Sequence, residues 1–174
     1  MNEPLVSIVL LNWNNLPDTL QCLTSIENQR YRNYNIIVVD NGSINDASEE
    51  MIREHPEVTV IRLEKNRGYT GGNNIGIKNA LEGNPHYLWL MNNDATLHPD
   101  CLRNMIDAVD KDETIGLASP CIFSGYNKEE LIYCGGYIDM QRRVTANAKN
   151  IHEIKEWEAI KPQKVILWGT ALLI

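Results

Sequence analysis

Three polar residues stand at the point where a short apolar segment ends. The segment occupies residues 87–91, and Asn92, Asn93 and Asp94 follow it directly. In an open α/β sheet, ligands bind beyond the carboxyl ends of the strands, where side chains point out of the sheet. The position therefore predicts that Asp94 holds something charged.

A second polar cluster begins with Asp40 and follows the apolar residues 36–39. Between the two clusters, a glycine-rich stretch that contains Gly71 and Gly72 leads into a helical pattern. Glycine lets a backbone approach a ligand closely. The three stretches therefore predict one composite pocket at a single edge of a sheet.

Strand-like and helix-like patterns alternate over the first two thirds of the chain. Apolar runs predict strands at residues 6–11, 36–39, 58–63, 87–91 and 115–119, and helical periodicity predicts a helix in each interval. Such an alternation is typical of an α/β fold with a parallel sheet and right-handed crossovers. The strand ends and the pocket then share one edge of that sheet.

The same periodicity predicts how the helices begin and which residues they bury. Asn15 is the expected cap of the first helix. Met51 and Ile52 are expected on the buried face of the second helix. Ala80 and Leu81 are expected on the buried face of the third.

The alternation fails beyond residue 120. Residues 121–137 are typical of irregular chain with a hairpin, and residues 142–163 are polar without a clear element. Residues 165–174 resemble a buried strand inside which the sequence stops, whereas natural chain ends are usually polar. We therefore expect a single domain over residues 1–174 that is truncated at its C-terminal end.

Composition excludes several classes of protein. The net charge is -7 and the pI is about 5.1, which argues against nucleic acid as a partner because phosphate binding needs a basic surface. Cys22, Cys101, Cys121 and Cys134 show no metal-binding spacing, so we expect reduced thiols and a cytoplasmic protein. No apolar run approaches the ~20 residues that span a bilayer.

Four ordered motifs resemble family 2 of the inverting glycosyltransferases. They are N-W-N at residues 12–14, V-D-N-G-S at 39–43, N-R-G-Y-T-G-G-N at 66–73 and L-M-N-N-D at 90–94. Within that family the chain is similar to the polysaccharide-building branch that includes rhamnosyltransferases. The resemblance implies a GT-A fold, which is a Rossmann-like, open and mostly parallel sheet flanked by helices. It also implies a dTDP- or UDP-sugar donor, a divalent metal (Mn²⁺ or Mg²⁺) and inversion at the anomeric carbon.

The resemblance also assigns roles to residues. Asp40 resembles the acid that hydrogen-bonds the nucleobase. Asn92, Asn93 and Asp94 resemble the family's DxD motif, whose middle residue meets the ribose and whose last residue binds the metal. A single carboxylate suffices, because the metal takes most of its oxygen ligands from the diphosphate and water. The nucleotide-sugar site implied in this way comprises Asn12, Asn14, Asp40, Asn66, Arg67, Gly71, Gly72, Asn73, Asn92 and Asn93, with Asp94 as the metal ligand.

Simpler roles stay open for several of these residues. Asp40 and Asp94 could cap turns. Gly71 and Gly72 could relieve a tight strand-to-helix turn, and Arg67 could be a solvated surface charge. A non-catalytic nucleotide-sugar-binding module is also an alternative to an enzyme. By contrast, a dinucleotide-binding oxidoreductase would need a glycine motif after the first strand, where residues 12–15 hold none.

The resemblance finally divides the chain. Residues 5–120 correspond to the nucleotide-sugar-binding half, and residues 121–174 to the start of the acceptor-side half. The general base is expected in a Glu-Asp motif past Ile174, so these residues alone should bind a nucleotide diphosphate without transferring sugar. The expected acceptor is a saccharide or a lipid-linked saccharide. We also expect a homodimer, and peripheral association with the inner face of a membrane through regions outside these residues.

Overall fold

The computed structural model describes residues 3–127, 130–134, 136–139, 144–147, 165–166 and 171–174. These fall into two compact units, of which the first comprises residues 1–117 with 169–174 and the second residues 118–168. The expected boundary near residue 120 is close to this division, but residues 171–174 return to the first unit. The helices and strands of the first unit are β1 (Val6–Asn12), α1 (Leu16–Glu27), β2 (Tyr34–Asp40), α2 (Ser48–Glu54), β3 (Val58–Arg62), α3 (Gly68–Glu82), β4 (Tyr87–Asn92), α4 (Cys101–Val109) and β10 (Ala171–Leu173).

The five strands of the first unit form one sheet in the order β10-β4-β1-β2-β3. β1 to β4 run parallel, and β10 is antiparallel to β4. The mostly parallel α/β fold expected from the sequence is therefore confirmed. The prediction of a strand at residues 115–119 is wrong. The strand that pairs with β4 on this side of the sheet is β10. Ile115 and Leu117 are 40% and 49% exposed instead.

The two faces of the sheet are covered by different helices, because successive strand residues point to opposite sides. On one face, Val9 and Val39 pack with Ala80 of α3. On the other, the side chain of Asn12 meets Thr19 of α1. The sheet is thus buried on both faces, as parallel sheets are.

Two expectations about the buried faces of helices are wrong. Met51 and Ala80 are buried as expected, but Ile52 and Leu81 are 46% and 56% exposed. Neighbouring residues lie about 100° apart around a helix, so a narrow apolar stripe takes only one of each pair. Asn15 does precede α1, yet its side chain donates to Asp18 and makes no cap hydrogen bond.

The second unit contains short antiparallel pairs. β5 (Ile122–Phe123) pairs with β6 (Leu131–Tyr133), which confirms the expected hairpin. β7 (Gly136–Asp139) pairs with both β8 (Val144–Asn147) and β9 (Val165–Ile166). The prediction for residues 142–163 lies largely outside the described residues.

The cysteines do not all remain thiols. Cys121 and Cys134, which flank the β5-β6 hairpin, form a disulfide, so the expectation of four reduced thiols is wrong for this pair. Their spacing carries no metal motif, and only the hairpin brings them together. Cys22 and Cys101 are free, and burial raises the pKa of the Cys101 thiol to about 11.

None of the helices in the described part of the chain combines the length and apolar character that crossing a membrane requires.

Candidate functional site

Polar residues end three neighbouring strands at one edge of the sheet. Asn12 of β1 pairs in register with Asp40 of β2, and Leu11 pairs with Asn92 of β4. Parallel strands share their carboxyl edge, so these side chains and the loops that follow them lie close together. The structure thus brings the two polar clusters of the sequence to one edge.

Asp40 lies at the centre of a closed hydrogen-bond network. Its side chain is fully buried, and Oδ1 accepts hydrogen bonds from Asn12 Nδ2 at 3.1 Å and from Ser43 Oγ. Its Oδ2 accepts a charge-assisted hydrogen bond from Arg62 Nη1 at 2.6 Å. We call Asn12, Asp40, Ser43 and Arg62 the β2 network. Both carboxylate oxygens accept hydrogen bonds within the protein, and the contact of Asp40 with a nucleobase stays a prediction.

Arg62 is a residue of this network that the sequence reasoning missed. It ends β3 and pairs in register with Asp40, so both side chains lie on the same face of the sheet. Its guanidinium also donates to the Ser43 carbonyl at 3.2 Å and approaches Asp46 at 3.3 Å. An arginine ending the strand next to an acid-ended strand was the available signal, because parallel register places the two residues side by side.

The loop after β1 is tied to the loop after β2. The backbone N–H of Asn14 donates to Ser43 Oγ at 2.8 Å, and Asn14 Oδ1 accepts from the Ile44 N–H at 2.8 Å. Asn14 adopts a left-handed φ of 54°, which asparagine tolerates better than most residues. Gly42 has a φ of 74°, and a Cβ there would lie 2.5 Å from the Lys65 carbonyl carbon. Only glycine fits this turn.

A cleft of about 580 Å³ lies between these two loops and the starts of α1 and α2. Trp13, in the first loop, is 55% exposed. Asn12 and Asn14 of the predicted site line the cleft together with Ser43, whereas Asp94 does not. The remaining lining residues are Asn15, Leu16, Pro17, Ile44, Asn45, Asp46, Ala47 and Glu50.

The glycine-rich stretch forms a helix rather than an open loop. Gly72 lies inside α3, where a Cβ would approach Leu11 Cδ1 to 2.4 Å. Gly76, one turn later, would bring a Cβ to 2.4 Å from Val9 Cγ1. These glycines therefore let α3 pack closely on β1 and β2. The ligand contact expected at Gly72 stays a prediction.

Other predicted residues organise the entry to α3. The Asn41 side chain donates to Asn66 Oδ1 at 3.1 Å and accepts from the Arg67 N–H at 2.9 Å. Asn73 is 5% exposed and donates to the Tyr69 carbonyl within the helix. The Arg67 side chain is exposed, and Gly71 is half-buried near it. Arg67 and Gly71 therefore remain accessible at the strand-end edge, whereas Asn73 does not.

Asn92, Asn93 and Asp94 form what we call the β4 turn. Asn93 Nδ2 donates to Thr19 Oγ1 at 2.8 Å, so this side chain points toward α1 rather than toward solvent. Asn92 Oδ1 lies 3.5 Å from the Tyr69 hydroxyl. Asp94 is exposed, and its carboxylate makes no hydrogen bond or ion pair with any described residue. The β4 turn thus offers one uncommitted negative charge.

Asp94 also acts on a neighbouring thiol. Burial raises the pKa of the Cys22 thiol to about 12, and the negative charge of Asp94 adds to this effect. The Cys22 thiol also lies 3.8 Å from the Asn92 carbonyl oxygen. Asp94 and the buried Cys22 thiol of α1 are therefore neighbours at the edge where the strands end.

The donor set suits a cation that is shared with a ligand. Among the described residues, no group of three His, Cys, Asp or Glu side chains could hold a metal ion by itself. A single exposed carboxylate fits Mn²⁺ or Mg²⁺ that takes its other oxygens from a diphosphate and water. The residues present therefore fit the metal that the sequence resemblance implies, provided that the diphosphate is bound as well.

The sequence of residues 7–161 matches the profile of the family described as Glycosyl transferase family 2. The chain belongs to this family. It is 24% identical over 191 residues to the bifunctional glycosyltransferase pgtA of Dictyostelium discoideum, covering 97% of this chain and 25% of pgtA. It is 31% identical over 109 residues to the succinoglycan biosynthesis protein ExoO of Rhizobium meliloti, covering 62% of this chain and 30% of ExoO.

The fold also matches that of a solved GT-A-type enzyme. The mannosyltransferase PcManGT from Pyrobaculum calidifontis, solved in complex with GDP-Man and Mn²⁺, aligns with a TM-score of 0.61 and 22% identity. The match covers 74% of this chain and 38% of PcManGT. The chain therefore spans between a quarter and two fifths of the length of these three proteins.

Proposed function

We propose that these residues form the donor-binding part of an enzyme that transfers a sugar from a nucleotide diphosphate to a saccharide or lipid-linked acceptor with inversion. The observation that carries the proposal is the exposed carboxylate of Asp94, which follows the end of β4 and makes no hydrogen bond or ion pair with a described residue. Membership of glycosyl transferase family 2 supports it. The similarity to a succinoglycan biosynthesis protein supports a role in polysaccharide synthesis.

In this proposal the donor lies along the strand-end edge. The diphosphate reaches the β4 turn, where Asp94 would hold Mn²⁺ or Mg²⁺. When bound, the metal supplies charge stabilisation for the departing nucleoside diphosphate. The nucleoside lies toward the loops that carry Trp13, Asn14 and Ser43. Arg67 is exposed at the start of α3 and is placed to add positive charge at this edge.

The general base belongs to the proposal only through the sequence resemblance. Asp40 is unsuited to take a proton from an acceptor hydroxyl, because its carboxylate is buried and paired with Arg62. Asp94 is assigned to the metal. The base is therefore expected in the Glu-Asp motif that the resemblance places after the last strand.

Calorimetry tests the donor site directly. We expect the chain to bind at least one of UDP, dTDP and GDP in the presence of Mn²⁺, and to bind it far more weakly in EDTA. Asp94→Asn should abolish the effect of Mn²⁺. Asp107→Asn, which removes another exposed acid on α4, should bind like the wild type. Binding of none of the three nucleotides would contradict the proposal.

A donor panel with the complete protein tests the reaction. We expect release of a nucleoside diphosphate from one of dTDP-rhamnose, UDP-glucose and GDP-mannose when an acceptor saccharide is present. Tight nucleotide binding without sugar transfer by the complete protein would instead favour a non-catalytic nucleotide-sugar-binding module.

A further inference from the structure

Arg62 contacts both ends of the loop between β2 and α2. One nitrogen reaches Asp40, which ends β2, and Nε lies 3.3 Å from Asp46 near the start of α2. Another nitrogen donates to the Ser43 carbonyl between them. A planar guanidinium can make these contacts together, because its donors are held in a fixed fork. A single side chain thus joins the two ends of this loop.

The same loop forms one wall of the cleft. Ser43, Ile44, Asp46 and Ala47 all line it. The opposite wall is tied to the loop through Asn14, whose N–H donates to Ser43 Oγ. A change in the position of the loop would therefore change the shape of the cleft as well as the environment of Asp40.

Electrostatics makes Arg62 necessary for this arrangement. Asp40 is fully buried, and an ionised carboxylate in that environment requires a paired charge. The Arg62 side chain is 34% exposed, so it joins the buried acid to the protein surface and to Asp46, which lines the cleft. Without Arg62, the buried Asp40 carboxylate would lose the charge that pairs with it, and the loop would lose the contacts that join its two ends.

We propose that Arg62 is a positioning residue for the nucleoside part of the donor, acting through Asp40 and the loop at residues 43–47. This inference rests on the proposed function. Arg62 need not touch the nucleotide. It holds the wall against which the nucleoside lies, whereas the β4 turn, which it does not contact in the structure, receives the diphosphate. Its loss should therefore weaken the binding of nucleotides but not that of metal-bound pyrophosphate.

The test compares two probes on the full chain. Calorimetry with Mn²⁺ measures UDP, dTDP and GDP, and a second titration measures inorganic pyrophosphate with Mn²⁺. We expect Arg62→Gln to lower the affinity for the tightest-binding nucleotide by about tenfold or more, as when a charge-assisted hydrogen bond is lost. Pyrophosphate should bind within about twofold of the wild type. Arg62→Lys should give an intermediate loss, because lysine restores the charge but not the fork.

Arg53→Gln is the matched control. Arg53 lies on α2, is 67% exposed and pairs only with Glu50 and Glu54 among the described residues. It should leave both titrations unchanged. If Arg62→Gln unfolds the chain, as judged by circular dichroism, Asp46→Asn removes only the outer contact of the fork. That variant should lower the affinity for the nucleotide about twofold to threefold and leave the affinity for pyrophosphate unchanged.

Unchanged nucleotide binding in the folded Arg62→Gln or Asp46→Asn variant would overturn the inference while the proposed function stands. An equal loss for nucleotide and pyrophosphate would also overturn it, because it would indicate general disruption. If the wild-type chain binds neither probe, the proposed function itself fails.

Discussion

The end of β2 and the end of β4 lie at one edge of the same sheet, yet their acidic residues are held in opposite ways. Asp40 in the β2 network is fully buried and engages Asn12, Ser43 and Arg62. Asp94 in the β4 turn is exposed, and its carboxylate makes no hydrogen bond or ion pair with a described residue. One carboxylate stabilises the protein, and the other remains available to a ligand.

The difference shows how one edge can combine rigidity with binding. A buried charge needs partners, so the β2 network fixes the loops around the cleft before any ligand arrives. An exposed charge is solvated and costs little to leave unpaired. The Asp94 carboxylate can therefore replace its hydrating water by a metal ion that a diphosphate also binds. Mutations in the two regions should therefore affect different measured quantities.

The largest expected effect is on function without a change in stability. In the complete enzyme, Asp94→Asn should lower the rate of sugar transfer by about 10²- to 10³-fold, comparable to removing one preorganised charge-stabilising group. The midpoint of thermal unfolding should not move. A loss of stability equal to that of a buried-site mutant would contradict the distinction between the two regions.

Asp40→Asn should instead act mainly on stability. Removing one partner of a buried pair costs about 3–5 kcal/mol, and we expect about 2–3 kcal/mol of unfolding free energy here because Arg62 is partly exposed. Urea denaturation measures this quantity. Asp46→Asn, whose side chain is 56% exposed, is the control and should cost less than about 1 kcal/mol.

Nucleotide binding by the same Asp40→Asn variant distinguishes two roles for the acid. If Asp40 acts through the loop, the affinities for UDP, dTDP and CDP should fall by similar factors. If the loop opens and Asp40 contacts the base directly, the affinities for UDP and dTDP should fall. The affinity for CDP, whose base lacks the ring N–H, should then hardly change. The buried position of the carboxylate leads us to expect similar factors.

Gly76→Ala should lower the free energy of unfolding, because the added methyl group would overpack the contact of α3 with β1 and β2. A Cβ at this position would lie 2.4 Å from Val9 Cγ1 and 3.0 Å from Val39 Cγ2, next to Asp40. Overpacking of this kind costs about 1–3 kcal/mol, which chemical denaturation will show. Gly116→Ala, where an added Cβ would contact nothing within 4 Å, should be neutral or slightly stabilising.

Asn93→Ala should give the smallest effect and reveal how far the two regions are coupled. Its amide donates to Thr19 Oγ1, and Asn12 Oδ1 lies 3.5 Å away, so Asn93 joins the β4 turn to the β2 network. We expect a loss of about 1 kcal/mol in unfolding free energy. Additivity with Asp40→Asn in a double-mutant cycle would show that the regions are independent, and a coupling energy would show that they are not.

The sequence predicted the elements that depend on local pattern. The four parallel strands and α1 to α4 follow from apolar runs and helical periodicity, and the residues at the strand ends follow from the edge rule for α/β sheets. The antiparallel β10 was not predicted as a partner of β4, because strand pairing between residues 91 and 171 leaves no local signal. Both residues 115–119 and residues 165–174 carry an apolar pattern, and the pattern alone does not show which of them pairs with β4.

The sequence predicted where the site residues lie in the fold, but it did not predict which residues they contact. Asp40 and Asp94 read alike in the sequence, since each follows an apolar strand. Only the register of β2 with β3 shows that Asp40 has Arg62 as a neighbour. The glycines likewise indicated a close approach, and at Gly72 the group that approaches the backbone is Leu11 of β1.

The pairing of β10 with β4 has a consequence for how the chain acquires its fold. Met91 pairs with Ala171, so the β4 edge stays open until synthesis has passed the later strand. The four parallel strands lie within residues 6–92 and can associate first. During translation the nascent chain therefore exposes an unpaired strand edge beside the β4 turn, and closing it requires a contact of high sequence separation, which slows folding.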